Sequence, residues 1–221
     1  MVPDQWAIMQ AGNLFVFAVN NPIMWADPTG LIIELAQNAT QAQRDEFDRA
    51  IAFLKQSYTF REIWDILYNA TEVFTIAFID DHNMRYNWMT MTIYWDPRSG
   101  LVMWDNRSVQ SAALGLAHEM AHAVQHLEGT MDSFINATTQ SQRNAARAAI
   151  EADNLARFET PIARQLGEPI RTSYSRHRGV YRMNNSIHFR TTARQPFDIF
   201  IGRRVVNHNQ WPIIGTYISA P

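Results

Sequence analysis

The chain has 221 residues, with 19 basic and 21 acidic side chains, a formal net charge of -2, seven histidines and no cysteine. Balanced charge argues against a general nucleic-acid binder, the missing cysteines remove disulfides and thiolate metal ligands together, and no apolar run approaches the ~18 residues of a membrane span. The length suits one ordinary core, and the N-terminus has no basic region ahead of an apolar run, so no signal peptide is expected.

In chain order, the first feature is a short alternating strand ending in two turn signals, Asn20-Asn21-Pro22 and Asp27-Pro28-Thr29-Gly30. They predict a boundary, with an appendage over residues 1–31 and a main domain over residues 32–221. Thr40-Gln41-Ala42-Gln43 reads as a capping box opening a helix whose inner face is Phe47, Ala50, Ile51 and Leu54. Thr59 to Glu62 repeats the signal for a shorter helix through Ile63, Ile66 and Leu67. Strands follow at Glu72–Ile79, Met89–Trp95 and Leu101–Trp104, the last two joined as a hairpin through Asp96-Pro97-Arg98-Ser99-Gly100. Their aromatic residues are read as core, because aromatic rings bury large areas wherever they occur.

The next helix carries His118-Glu119-Met120-Ala121-His122, an HExxH run. It is expected to run from a cap at Ser108 to Leu127, with Gly129 past its end. Leu114, Ala117, Ala121 and Val124 form an apolar stripe that half sinks it in the core. Residues four apart share a helical face, so two imidazoles can bind one zinc ion, and Glu119 projects beside it as a general base. His126 lies too far along the axis to join them and is read as a solvent-facing or supporting residue. A catalytic zinc needs a third protein ligand. The extended metzincin pattern is excluded because Val124-Gln125 follows His122.

The third ligand is sought on the following helix, Ser141 to about Phe158, whose Ala145, Ala148, Ala149, Ala152 and Leu155 suggest a small-residue packing face. Glu151 sits near its middle, the gluzincin arrangement. Glu159 competes: eight residues on, it is rotated by roughly 80° at 3.6 residues per turn. Glu151 is favoured as ligand and Glu159 as the group orienting a metal-bound residue. Arg171 and Tyr174 form an Arg-x-x-Tyr pair whose cationic and phenolic donors suit an oxyanion. Beyond them come Arg176, His177, Arg178 and Arg182, then strands at Phe197–Ile201 and Ile213–Ile218. The fold class expected is α+β: a zincin-like domain with a small antiparallel sheet packed on the HExxH helix and a second, Glu-bearing helix. Such a sheet can hold an extended substrate by strand addition.

From Leu116 to Tyr174 the sequence resembles the zinc metallopeptidase effectors of bacterial pathogens. Glu159 to Arg171, with Leu166-Gly167-Glu168-Pro169 between them, is similar to that group's signature, and Ile93-Tyr94-Trp95-Asp96-Pro97-Arg98-Ser99-Gly100-Leu101 also looks like it. Clostridial neurotoxin light chains share the site plan. The resemblance implies zinc held by His118, His122 and Glu151, Glu119 as base, and Arg171 with Tyr174 as transition-state donors. It departs at Glu151, which Ile150 and Ala152 flank where relatives often carry paired acidic residues.

Gly12-Asn13-Leu14-Phe15-Val16-Phe17-Ala18-Val19 through Asp27-Pro28-Thr29-Gly30-Leu31 resembles the closing segment of Rhs-repeat proteins, where a repeat shell ends and a variable toxin begins. That resemblance implies self-cleavage after Leu31 with a role for Asp27, delivery into a target cell's cytoplasm, a protein substrate there, and an immunity protein in the producing cell. The alternatives are a zinc amidase acting on cell-wall peptides and a non-enzymatic module of an Rhs protein.

Overall fold

A computed structural model describes residues 33–172, 174 and 177–191. The appendage with Asp27 and Leu31 and the two strands expected after Phe197 lie outside the described residues.

The first element is strand β1 (Ile33–Leu35), followed by helices α1 (Gln41–Leu54) and α2 (Tyr58–Tyr68). The capping box expected at Thr40 and Gln43 is present, and Phe47, Ala50, Ile51 and Leu54 are buried. In α2 the cap is Ser57, whose side chain accepts from the Phe60 amide, and Ile66 is exposed rather than inward. Thr59 lies inside the helix. Its hydroxyl accepts from Gln165, while Ser57 Oγ donates to the Gln165 carbonyl, so a distant helix helps decide where α2 starts.

Strands β2 (Phe74–Phe78), β3 (Arg85–Asn87) and β4 (Thr92–Trp95) complete a four-stranded sheet of order β1-β2-β4-β3. The β1–β2 and β2–β4 pairs are parallel and β3 is antiparallel to β4, so this sheet is mixed and not the antiparallel one expected. Helices α1 and α2 make the long crossover that a parallel β1–β2 pair requires. The hairpin also differs. β4 pairs with β3, while β5 (Ser99–Met103) belongs to a second, antiparallel sheet with β6 (Val109–Gln110) and β7 (His177–Arg182). Asp96 turns the chain from one sheet to the other: its Oδ1 accepts from the Arg98 amide and its backbone carbonyl from the Ser99 amide. Gly100 is required there, since a Cβ would come within 2.9 Å of the Gln110 carbonyl oxygen.

Helix α3 (Ala112–Leu127) carries the HExxH run and is buried almost all round, not half sunk. It packs against α1, α2, β3, β4, β5 and the next long helix. Its cap is Ser111 rather than Ser108, because Val109 and Gln110 are taken into β6; Ser111 Oγ accepts from the Leu114 amide. Gly129, at φ 75, ends it in the left-handed conformation that glycine adopts without strain. Trp95 Nε1 donates to the Ala112 carbonyl at 2.8 Å and ties the first sheet to the start of α3.

After the short α4 (Asp132–Ile135), a continuous helical rod runs through α5 (Gln140–Asn154), a π-helical turn (Leu155–Glu159) and α6 (Thr160–Leu166). The buried face of α5 is Ala146, Ile150, Glu151 and Asn154. The alanines expected to pack on α3, Ala145, Ala148, Ala149 and Ala152, are exposed. Alanine favours helix wherever it stands, so an alanine stripe does not by itself mark the inner face. Among the described residues no helix is long and apolar enough to cross a membrane.

Candidate metal centre

Two turns of α3 and one position of α5 bring three donor atoms to one point. His118 Nε2 lies 3.1 Å from His122 Nε2. Glu151 Oε2 is 3.3 Å from the first and 3.5 Å from the second. All three residues are buried, and Glu151 Oε2 has no hydrogen-bond partner that satisfies normal geometry. Donors about 2.0–2.1 Å from a tetrahedral ion lie about 3.3–3.4 Å apart, so the three observed edges match a zinc-sized cation.

The outer ring nitrogens fix which atoms face inward. His122 Nδ1 is 2.8 Å from Gln125 Oε1. Gln125 Nε2 donates to the Ile150 carbonyl and to Asp153, which leaves its oxygen for the histidine, so His122 Nδ1 is the donor. His118 Nδ1 donates to Glu159 Oε2 at 2.8 Å. Both neutral rings therefore present bare Nε2 lone pairs to each other and to a carboxylate oxygen, an arrangement that demands a positive charge at its centre. Without a metal ion, a proton answers that demand. Burial pulls His118 towards its neutral form, but hydrogen bonds with Glu151 and Glu159 outweigh it and hold the ring up at about 9. Burial likewise opposes ionisation of Glu151, yet the two histidines bring it down to about 2.

Glu159 reaches His118 because of the π turn. A π turn holds one more residue than an α turn, so the eight residues from Glu151 count as seven and the roughly 80° offset shrinks to about 20°. Arg171 grips Glu159 with both arms of its guanidinium, Nε at 2.7 Å from Oε1 and Nη2 on Oε2. The same Nη2 stands 3.1 Å from His118 Nδ1. Gln110 donates to Glu159 Oε1 and to the Pro169 carbonyl, closing the cluster from β6. Burial pushes the Glu159 carboxyl up, whereas His118 and Arg171 hold it down at about 2. Arg171 thus backs His118 through Glu159, while its guanidinium also lies 5.0 Å from the centroid of the Tyr174 ring.

Glu119 is buried beside His118, and its charge raises the pKa of both His118 and Tyr174. Tyr174 stacks on His118 with ring centroids 6.0 Å apart and planes at 22°. Burial and the charges of Glu151 and Glu119 raise its phenol above the usual range. Tyr174, Glu151 and Arg171 share the lining of one cavity of about 940 Å³. His126 is remote from the triad: its Nδ1 bonds the Tyr86 hydroxyl at 2.8 Å, and Trp88 meets its ring edge-on.

Three residues of the site escape a reading of the sequence. Gln125 follows His122 by three positions on the same helix, and that spacing is a usable signal. Gln110 and Asn154, whose Nδ2 donates to the His118 carbonyl at 3.0 Å, depend on how distant elements pack and leave no local trace.

Two imidazoles and a carboxylate converge beside a further buried carboxylate on a mixed α and β scaffold, a group that could hold a metal ion. The family model described as an effector protein, Peptidase_M91, matches residues 31–175, and the chain belongs to that family of peptidase effectors. No curated protein and no solved structure matches it.

Proposed function

We propose that the protein is a zinc-dependent endopeptidase of gluzincin type, delivered into a target cell, where it cleaves a protein. The observation that carries this reading is the buried triangle of His118, His122 and Glu151 donors with Glu119 beside it. His118, His122 and Glu151 would hold the zinc ion, which would supply a Lewis acid for the peptide carbonyl and for the attacking water. Glu119 accepts that water's proton and returns it to the leaving nitrogen. Tyr174, stacked on His118, offers its phenol hydrogen to the oxygen on which negative charge develops, a contact stronger in the transition state than in the substrate. Arg171 acts through Glu159 by fixing the tautomer and tilt of His118, which makes it a positioning residue.

The wider setting belongs to the same proposal. Residues 1–31 are read as the remnant of an Rhs shell, with cleavage after Leu31 assisted by Asp27, and a producing cell would need an immunity protein. The family match beginning at residue 31 supports a boundary there.

Glu119→Gln tests the chemistry. It should leave metal content unchanged while peptide hydrolysis falls by at least about 10²-fold, the usual contribution of a positioned general base. Comparing protein fragments in cells expressing the wild type and this variant would identify the substrate. Full activity of Glu119→Gln would remove the residue from the mechanism.

A further inference from the structure

The cavity beside the triad has a floor made by the rod's exposed alanines. Ala148, Ala152 and Ala156 recur every four residues along it. Short side chains keep the helix surface low, so an extended chain can lie against it. Besides Arg171, two arginines line the same cavity: Arg147, one turn before Glu151, and Arg164, beyond the π turn.

These two differ from the other arginines nearby. Arg157 pairs with Glu128 and Asp153, Arg171 pairs with Glu159, and Arg143 leans on the Phe134 ring and the Ala137 carbonyl. Arg147 and Arg164 are exposed, and their side chains have no hydrogen bond or ion pair among the described residues. The carboxylate in the lining is Glu151, which is turned towards the two histidines. The cavity therefore presents uncompensated positive charge on both sides of the donor triad. Along the rod, Arg147 stands about 6 Å and Arg164 about 20 Å from Glu151 at ~1.5 Å per residue. An extended peptide advances ~3.3 Å per residue, so these distances correspond to about two and about six residues in opposite directions.

We propose that Arg147 and Arg164 make this cavity a binding site for acidic peptide, so that the enzyme selects extended segments with Asp or Glu flanking the cleaved bond on both sides. The inference rests on the peptidase reading above, and its test separates the two.

The test uses the full chain carrying Glu119→Gln, loaded with zinc, and fluorescein-labelled Gly/Ser/Ala peptides bearing two Asp, two Asn or two Lys at the spacings given. At low salt the Asp peptide should bind about tenfold more tightly than its Asn twin, with each arginine giving about threefold. The advantage should shrink as added salt screens it. Arg147→Glu and Arg164→Glu should each remove about a threefold share, and the double variant should prefer the Lys peptide. Arg147→Lys with Arg164→Lys should keep the preference, which separates charge from folding damage. Equal binding of Asp and Asn peptides, or a preference that survives both reversals, would overturn the proposal. In parallel, zinc-loaded wild type is given peptides from a whole-proteome digest and the cut sites are read by mass spectrometry. Cutting without Asp or Glu enrichment sinks the specificity and leaves the peptidase standing. Acidic preference in binding with no cutting sinks the peptidase and leaves the acidic site.

Discussion

His118 and His122 each divide their two ring nitrogens between an inward and an outward task. The outward Nδ1 atoms are held by Glu159 and Gln125, and that choice leaves both Nε2 atoms bare. Removing either outer partner frees the ring to change tautomer and tilt, so Gln125→Ala should weaken zinc binding by about 10–100-fold, the usual cost of losing such a support. Competition with a chelator of known affinity measures this; unchanged affinity would show that His122 is oriented by packing alone. At this scale the HExxH spacing was legible, because helical periodicity alone puts the two histidines on one face. The placing of Arg171 was not. Its residue type suits an oxyanion donor, and its bonds to Glu159 and its approach to His118 depend on how distant elements pack.

Among the elements, the rod from Gln140 to Leu166 does most to assemble the site, and its π turn brings Glu151 and Glu159 to one side. A strictly α-helical reading gives the wrong angle between them, since nothing in Leu155-Ala156-Arg157-Phe158-Glu159 announces the wider turn. The capped helix α1 was legible from Thr40 and Gln43, where local chemistry is sufficient. The hairpin partner of β4 was not, because Asp96-Pro97 reads as a turn whether the chain folds back or moves to another sheet. The same limit applies to the alanine face of α5: a helix pattern shows where small residues lie, not which side meets the core.

The start of α3 carries a pH-dependent element. Glu168 is fully buried, and its carboxylate receives hydrogen bonds from the Ser111 amide and hydroxyl. Burial pushes it up from 4.5 to about 7; the Ser111 bonds oppose that shift and the charge of Glu159 adds to it. A carboxyl raised by folding contributes stability that is fully present below pH 4.5 and lost as pH rises through about 7. Urea unfolding of wild type and Glu168→Gln should therefore show the wild type losing ground to the variant across that window. A difference that grows in favour of the wild type as pH rises would mean that the Ser111 donors dominate.

For the molecule as a whole, the proposed zinc reading makes the triad a charge trap in which a metal ion would take the place of a proton. His118 is held at about 9 without metal, so at neutral pH its ring carries a proton that a bound cation must expel. Titrating zinc into metal-free protein in buffers of different ionisation heat should show about one proton released per ion at pH 7, declining as pH passes 9. No release at pH 7 would place the cation elsewhere. Because α3 packs against both sheets and the rod, occupancy should also raise the unfolding temperature of the entire domain, by an amount that grows with free zinc concentration.

The most direct measurement is zinc content and zinc-edge X-ray absorption on protein purified without chelator. About one ion per chain is expected, with imidazole nitrogen and carboxylate oxygen neighbours at about 2.0–2.1 Å, and Glu151→Gln should lose the ion or alter that shell. Substoichiometric metal, or a shell without two imidazoles that is indifferent to Glu151, would contradict the account.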